Sequence, residues 1–294
     1  MLDDFPSFIK ILAHPLLMSN PGKNIKTTKG EQSMIVKRLI LPVIILSFIA
    51  TVAGCVANSP QQAQKEDTSW MHHAIVDADF VSQHIGVPMP ENVMVIDARP
   101  YKVKYTKGHI PGAVSIPHSQ FDKKTNMLPK DKNALLIYYC GGLHCKLSHK
   151  SAAKAEKLGY KNVKVYAKGY PDWVSGKGRY ASVTAEYVAK KIADNDAMVI
   201  DSRPLKTKYE KGHIPTAISI PFSKFDTLEG KLPRNLNTPV IFYCGGLKCR
   251  LSHKSAAKAI TMGYTDVRVF ATGYPAWKKA YGESAGMSQA KAGA

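Results

Sequence analysis

Cysteine is scarce, five residues in a chain of 294, too few to staple a fold of this size, so the chain is not a disulfide scaffold. Glycine (21) and proline (18) occur at ordinary levels without a period, which excludes collagen-like and low-complexity architectures. Acidic residues are in deficit, 22 against 41 lysines and arginines, leaving a formal net charge of +19. That surplus suits small oxyanions or acidic lipid as partners. No DNA- or RNA-binding signature accompanies it and the basic residues are scattered, so no nucleic acid is expected as a partner. With 45% hydrophobic residues the chain can bury a sizeable core and is not disordered as a whole. Its length suits about two domains.

Long apolar runs are equally rare. The run at residues 39–54 carries no charge, follows Lys37-Arg38 and ends at Cys55. A short basic segment, an apolar stretch and small residues before a break make an export signal. Val52-Ala53-Gly54-Cys55 resembles the bacterial lipobox, with Val52 where leucine is commoner. The resemblance implies a lipidated Cys55 at the mature N-terminus. An uncleaved anchor is the competing reading, since the run approaches the roughly 17 residues that span a bilayer. Either way the remainder is expected outside the cytoplasm, membrane-anchored and facing the periplasm or cell exterior. Residues 1–33 carry no export logic, and Met34 stands three positions before Lys37. The N-terminus therefore reads as an over-long extension (1–33), an export signal (34–54) and a polar tether (55–70).

The rest is one sequence written twice. Ile96-Asp97-Ala98-Arg99-Pro100 returns as Ile200-Asp201-Ser202-Arg203-Pro204, and Lys107-Gly108-His109-Ile110-Pro111 as Lys211-Gly212-His213-Ile214-Pro215. CGGLHCKLSHKSAAKA from Cys140 returns as CGGLKCRLSHKSAAKA from Cys244. Gly169-Tyr170-Pro171 with Trp173 returns as Gly273-Tyr274-Pro275 with Trp277. Every pair is offset by 104, a period too long for a solenoid unit, so each copy is a whole domain. The expected domains are 71–178 and 179–283, jointed at residues 175–179, with a loose tail at 284–294.

Within the first copy, residues 92–96 and 134–139 read as strands, 150–158 as an alanine-rich helix, 163–166 as a strand and 171–174 as a short helix. Strand, helix and strand in this order predict right-handed parallel βαβ units. The expected fold is α/β: two domains, each a parallel sheet covered by helices on both faces. Small Ala152, Ala153 and Ala155 suit a helix lying close to its sheet.

Cys140 and Cys244 each end a hydrophobic strand and open a loop leading into a helix, the place where open α/β sheets bind ligands. A helix N-terminus and inward-turned N–H groups favour negative charge there, and such a setting lowers a thiol's pKa from about 8.5 toward neutrality. Gly141-Gly142 and Gly245-Gly246 permit the positive φ values that curl N–H groups inward. Leu143 and His144 complete the first cradle, Leu247 and Lys248 the second. These features mark Cys140 and Cys244 as candidate nucleophiles.

Each copy resembles a rhodanese domain: Asp-x-Arg after the first strand, a Gly-His-Ile-Pro-Gly-Ala stretch kept at residues 108–113, and a cysteine after a hydrophobic strand. The second copy departs at Thr216, where the pattern has glycine. The resemblance implies sulfurtransfer. A cysteine takes sulfane sulfur from a small anionic donor such as thiosulfate, and the persulfide passes to cyanide, a thiol or a protein acceptor. It assigns no cofactor. Two domains with intact loops are expected to act independently, with Cys140→Ser and Cys244→Ser each retaining about half the activity.

Two features depart from the family pattern. The loop is long, and Cys244-x5-Arg250 matches the spacing of tyrosine- and Cdc25-type phosphatases, where arginine clamps phosphoryl oxygens. The first copy has Lys146 there, which cannot form that fork, and Tyr139 and Tyr243 replace the phosphatase histidine. A second cysteine, Cys145 or Cys249, stands five positions after the first. It either resolves the first thiol through a disulfide, as an oxidising compartment allows, or fills space. A non-enzymatic sulfur or thiol relay is the further alternative. Zinc at Cys140, His144, Cys145 and His149 fits poorly, because His144 becomes Lys248 in the repeat. Lys146 and Arg250, with Arg99 and Arg203, are the candidate anion contacts. His109 and His213 are expected to be hydrogen-bonded structural residues, His149 and His253 to be solvated, and Trp173 and Trp277 to pack the domain ends.

Overall fold

The computed structural model describes residues 67–282. The export signal, Cys55 and the tail from residue 283 lie outside the described residues, as does most of the tether. Among the described residues no helix is long and apolar enough to cross a membrane.

The first copy runs β1 (Ile75–Val76), α1 (Ala78–His84), β2 (Val93–Asp97), β3 (Val114–Ser115), β4 (Leu135–Tyr139), α2 (Leu147–Lys157), β5 (Asn162–Tyr166) and α3 (Gly169–Ser175). The second runs β6 (Ala181–Ser182), α4 (Ala185–Asp194), β7 (Met198–Asp201), β8 (Ile218–Ser219), α5 (Phe225–Leu228), β9 (Val240–Tyr243), α6 (Leu251–Thr261), β10 (Val267–Phe270) and α7 (Gly273–Tyr281). Each forms a five-stranded sheet, ordered β1-β5-β4-β2-β3 and β6-β10-β9-β7-β8. All the strand pairings are parallel. The chain thus has the two helix-flanked parallel α/β domains that its repeat predicts.

Why these residues form these elements is plain at the centre of each sheet. All five side chains of β4, Leu-Leu-Ile-Tyr-Tyr, are buried, the continuous apolar pattern of a strand covered on both faces. Alternate residues then serve opposite cores. Leu136 and Tyr138 pack with Ala152 and Ala155 of α2, while Leu135, Ile137 and Tyr139 pack with Val81 of α1 and Trp173 of α3. Asp77 caps α1 by accepting the Phe80 N–H at 2.8 Å, filling an amide the helix cannot. Gly159, at φ +89°, takes the left-handed turn after α2.

The helix expected from residue 150 begins three residues earlier, at Leu147. Its first turn therefore abuts the cysteine loop. The two-residue edge strands β1, β3, β6 and β8 are too short to show a period, and the sequence reading missed them.

The domains join along a backbone seam. His109 N donates to Ser182 O at 2.9 Å, Ser182 N returns to His109 O at 2.8 Å, and Thr184 N reaches Thr106 O at 3.3 Å. Arg268 adds a 2.6 Å bond to the Lys107 carbonyl. The Gly-His-Ile-Pro stretch of the first copy is thus clamped by the opening strand of the second.

Candidate functional site

The sheet ends prepare the site. Register sets Asp97 beside Tyr139, and Asp97 and Arg99 lie buried together. Arg99 Nε donates to Asp97 Oδ1 at 2.9 Å and Nη2 to Oδ2 at 2.5 Å, while Nη2 also reaches the Gly108 carbonyl at 2.7 Å. Tyr139 completes the knot, donating to Asp97 at 2.8 Å and accepting the Ile110 N–H at 3.1 Å. Arg203, Asp201, Gly212 and Tyr243 repeat it. A buried charge is tolerable only when paired in this way. The arginine plane packs on a second aromatic ring, Arg99 at 4.1 Å from Tyr170 and Arg203 at 4.4 Å from Tyr274.

The loops hold two free sulfurs apiece, and their environments differ. Cys140 and Cys244 have no exposed surface. The Cys140 thiol donates to the Cys145 carbonyl at 2.9 Å and accepts from the Ser148 hydroxyl at 3.1 Å. Cys244 lies 3.2 Å from the Cys249 carbonyl and 3.1 Å from Ser252 Oγ. Its contact with the Cys145 sulfur, then burial, pushes the Cys140 thiol well up. Burial, then the Cys249 contact, pushes Cys244 up to about 11. The shift at these two positions runs opposite to the expected lowering: a neighbouring sulfur and desolvation outweigh the Ser148 and Ser252 donors.

Cys145 is the reverse. It is half-buried, and its pKa falls to about 6 through the Cys140 hydrogen bond, the Gly141 and Leu147 N–H groups and the charge of Arg99, with burial opposing. The contact between the two sulfurs thus acts in opposite directions, raising the inner thiol and lowering the outer one.

The openings beside the second loop follow the outer cysteine. One cavity of about 460 Å³ is lined by Arg203, Lys208, Lys211, Gly245, Cys249 and Tyr274, among others. A neighbouring one of about 660 Å³ is lined by Gly246, Leu247, Lys248, Cys249 and Lys279, among others. Cys244 lines neither. Only the second glycine of each pair takes a positive φ, Gly142 at +122° and Gly246 at +117°.

Leu143, His144, Leu247 and Lys248 are exposed on the loops. Lys146 and Arg250 turn elsewhere. Lys146 Nζ sits 5.0 Å from the Trp70 ring, and Arg250 Nε donates to the Val87 carbonyl of the first domain. Both stand at the N-cap position of the following helix without a side-chain cap bond, and Arg250 lines neither opening beside its loop. Lys208, Lys211, Lys278 and Lys279 line the openings instead.

The sequence reading named Lys211 only as part of a repeat and missed Ser148 and Ser252; the signal for the serines was the repeated Cys-x7-Ser spacing. It also left unexplained the Gly169 and Gly273 backbones, at φ +61° and +60°. A Cβ there would lie 2.4 and 2.2 Å from the carbonyl oxygens of Cys140 and Cys244, so only glycine lets this segment brace the loop. His109 is structural: its Nδ1–H donates to the Tyr105 carbonyl at 3.0 Å, the ring stacks on Tyr105 at 3.9 Å, and burial lowers its pKa to about 4. His213 makes the matching 3.1 Å bond. His149 and His253 are buried rather than solvated, because the segments preceding the first strands cover them. His149 accepts the His72 N–H at 2.9 Å, and His253 lies 2.9 Å from the Tyr180 hydroxyl.

A family model described as the rhodanese-like domain matches residues 81–176 and 184–280. Bacillus subtilis (strain 168) YrkF, provisionally named a sulfur carrier protein, is 31% identical over 87 residues, 30% of this chain and 44% of its own. The HTH-type transcriptional regulator Rv0324 of Mycobacterium tuberculosis is 31% identical over 128 residues, 44% of this chain and 48% of its own. The chain thus spans less than half the length of these curated relatives. A thiosulfate sulfurtransferase crystal structure from Pseudomonas aeruginosa aligns with 70% of this chain and 42% of that one at 19% identity and a TM-score of 0.31.

Proposed function

The chain belongs to the rhodanese-like domain family, and on that premise we propose that it is a sulfurtransferase, moving sulfane sulfur from a small anionic donor such as thiosulfate to a thiophilic acceptor through a cysteine persulfide in each domain. One observation carries the proposal: each strand-to-helix loop holds free cysteine sulfurs against N–H groups at the start of a helix. Such amides stabilise a thiolate and the persulfide anion that replaces it. Arg203, Lys208 and Lys211 beside the second loop draw in an anionic donor. The acceptor is a thiol, cyanide or the thiol of a partner protein.

The phosphatase reading loses its clamp, since Arg250 is spent on the Val87 carbonyl. The decisive experiment is thiocyanate formation from thiosulfate and cyanide, run beside intact-mass analysis after thiosulfate alone. Turnover with sulfur uptake is the expected result. Uptake without turnover would reassign the chain to a relay, and vanadate-sensitive hydrolysis of para-nitrophenyl phosphate would overturn the reading. Export and lipidation at Cys55 belong to the same proposal. Cys55→Ala is expected to shift the protein from the membrane fraction to the soluble one.

A further inference from the structure

Besides the two openings at its cysteine loop, the second domain borders a third hollow, of about 500 Å³, which the first domain helps to enclose. Tyr101, Tyr105 and Met127 line it from the first domain, and Leu247, Ala271 and Ala276 from the second. Leu247 and Ala276, with Thr272, also line the opening that contains Cys249. The two hollows therefore share a wall and form one trench from the domain seam to the cysteine loop. Leu247 is 62% exposed, Met127 40% and Tyr101 36%, a run of apolar surface that folding leaves in water. The trench also has polar features. β3 borders it through Val114 and Ser115 and ends its sheet, an edge of the kind an extended polypeptide joins. Buried Ser115 and, opposite in sequence, Thr184 both line the trench with hydroxyls that have no hydrogen-bond partner among the described residues. A polypeptide's amides satisfy such atoms and a hydrocarbon does not. Charge along the walls is lopsided: Lys124, Lys248 and Lys279 stand against Glu186, whose carboxylate accepts the Tyr101 hydroxyl at 3.3 Å. Neither thiosulfate nor cyanide has use for a trench of this kind.

We infer that this trench docks the sulfur acceptor, and that the acceptor is a protein: an extended acidic segment with apolar side chains, which presents a cysteine thiol to the second domain's loop. The inference rests on the sulfur-transfer reading and narrows its acceptor to a polypeptide. Each property of the segment has a counterpart. Its backbone lies along β3 and meets Ser115 and Thr184. Its apolar side chains cover Tyr101, Met127 and Leu247, and its carboxylates meet Lys124 on one wall and Lys248 and Lys279 beside the loop. In the transfer step the acceptor thiolate attacks the terminal sulfur of the loop's persulfide. An S–S bond to the acceptor forms, the bond within the persulfide breaks, and the loop cysteine leaves as a thiolate with the electron pair. The sulfur passes at constant oxidation level, and no further reagent enters.

The test uses the full chain and a synthetic peptide of about ten residues, leucines and acidic residues around one cysteine, with a basic-flanked copy for comparison. Binding is read by fluorescence anisotropy, and transfer by the sulfur added to the peptide's mass after thiosulfate loading. The acidic peptide is expected to bind about tenfold more tightly than the basic copy. Tyr101→Ser with Met127→Ser should weaken it about tenfold. Lys124→Glu should weaken it about threefold while the basic copy gains. None of these three residues lines the openings at the loop. Transfer to the peptide should survive Cys140→Ser and be lost in Cys244→Ser. Three results overturn the inference: no binding of the acidic peptide, binding indifferent to the three substitutions, or transfer that needs Cys140 rather than Cys244. Thiocyanate formation by the same chain then leaves sulfur transfer standing. Binding that responds to the substitutions, while neither peptide nor cyanide receives sulfur, sinks sulfur transfer and leaves only the docking surface. Displacement of the peptide by phosphatidylglycerol vesicles, or a dimer that shields Tyr101, assigns the trench to lipid or to a second copy and overturns the inference.

Discussion

Where the second domain carries Lys248, Lys278 and Lys279 around its loop, the first carries His144, Val174 and Ser175, and Asp172 stands where the second has Ala276. The loops are otherwise near copies, with the same glycine pair, the same inner and outer cysteines and the same serine beneath. The two copies keep the same cysteine loop and differ in the charge at its mouth. The copies also differ in company. His109 of the first is buried under the second domain's opening strand, while His213 is only partly covered. Equal shares of activity, the simplest expectation for a tandem repeat, do not follow from mouths so unlike.

The largest effect falls on what the halves share. Asp97→Ala or Asp201→Ala leaves a buried guanidinium unpaired, and each is expected to cost about 3–5 kcal/mol in urea unfolding. A loss confined to one of them would break the premise of a common frame. Acid comes next, through histidines at different places in each half. Burial holds His109 and His253 at about 4 when folded, against the 6.5 of the free side chain. Protons therefore bind the unfolded chain more tightly, and the stability each contributes above pH 6.5 is lost as pH falls toward 4. The loss is of order 3 kcal/mol per residue. His109→Gln and His253→Gln should each flatten the fall in urea midpoint across that range.

Mouth charge gives a smaller effect. With Cys145→Ser and Cys140→Ser silencing the first domain, or Cys249→Ser and Cys244→Ser the second, the remaining second domain should show a KM for thiosulfate about tenfold lower than the remaining first. That advantage should shrink as salt is raised. Lys248→His, Lys278→Val and Lys279→Ser together should erase it without moving kcat. Smallest is Thr216, a β-branched residue at φ +65° where the first domain has Gly112 at +78°. Thr216→Gly should stabilise the chain by about 1 kcal/mol in thermal unfolding. Gly112→Thr should destabilise it, because a Cβ there would lie 2.4 Å from Met89 Sδ.

Much of the fold was legible because the apolar pattern is strong where the sheet is covered on both sides. The runs ending at Tyr139 and Tyr166 declare themselves, and an exact repeat offset shows that whatever one half does structurally the other does too. The site was legible only to the resolution of a loop. Sequence order puts Cys140 first after the strand but says nothing of burial: Cys140 has no exposed surface while Cys145 is half-buried. Lys146 and Arg250 misled for a related reason. They are basic and adjacent to the cysteines, but Lys146 sits against the Trp70 ring and Arg250 donates to the Val87 carbonyl. Lys248 apart, the lysines that line the openings come from segments distant along the chain, and no local spacing announces them.

The seam between His109 and Ser182 carries one consequence for anyone cutting this protein apart. The first repeat borrows part of its outer wall from the second, so a fragment ending near residue 178 would leave two amide edges and a shielded imidazole open to water. The second repeat loses partners by the same cut, since the Ser182 and Thr184 N–H groups and the Arg268 and Arg250 side chains all donate to carbonyls of the first. Scissors applied at the midpoint should therefore weaken both halves.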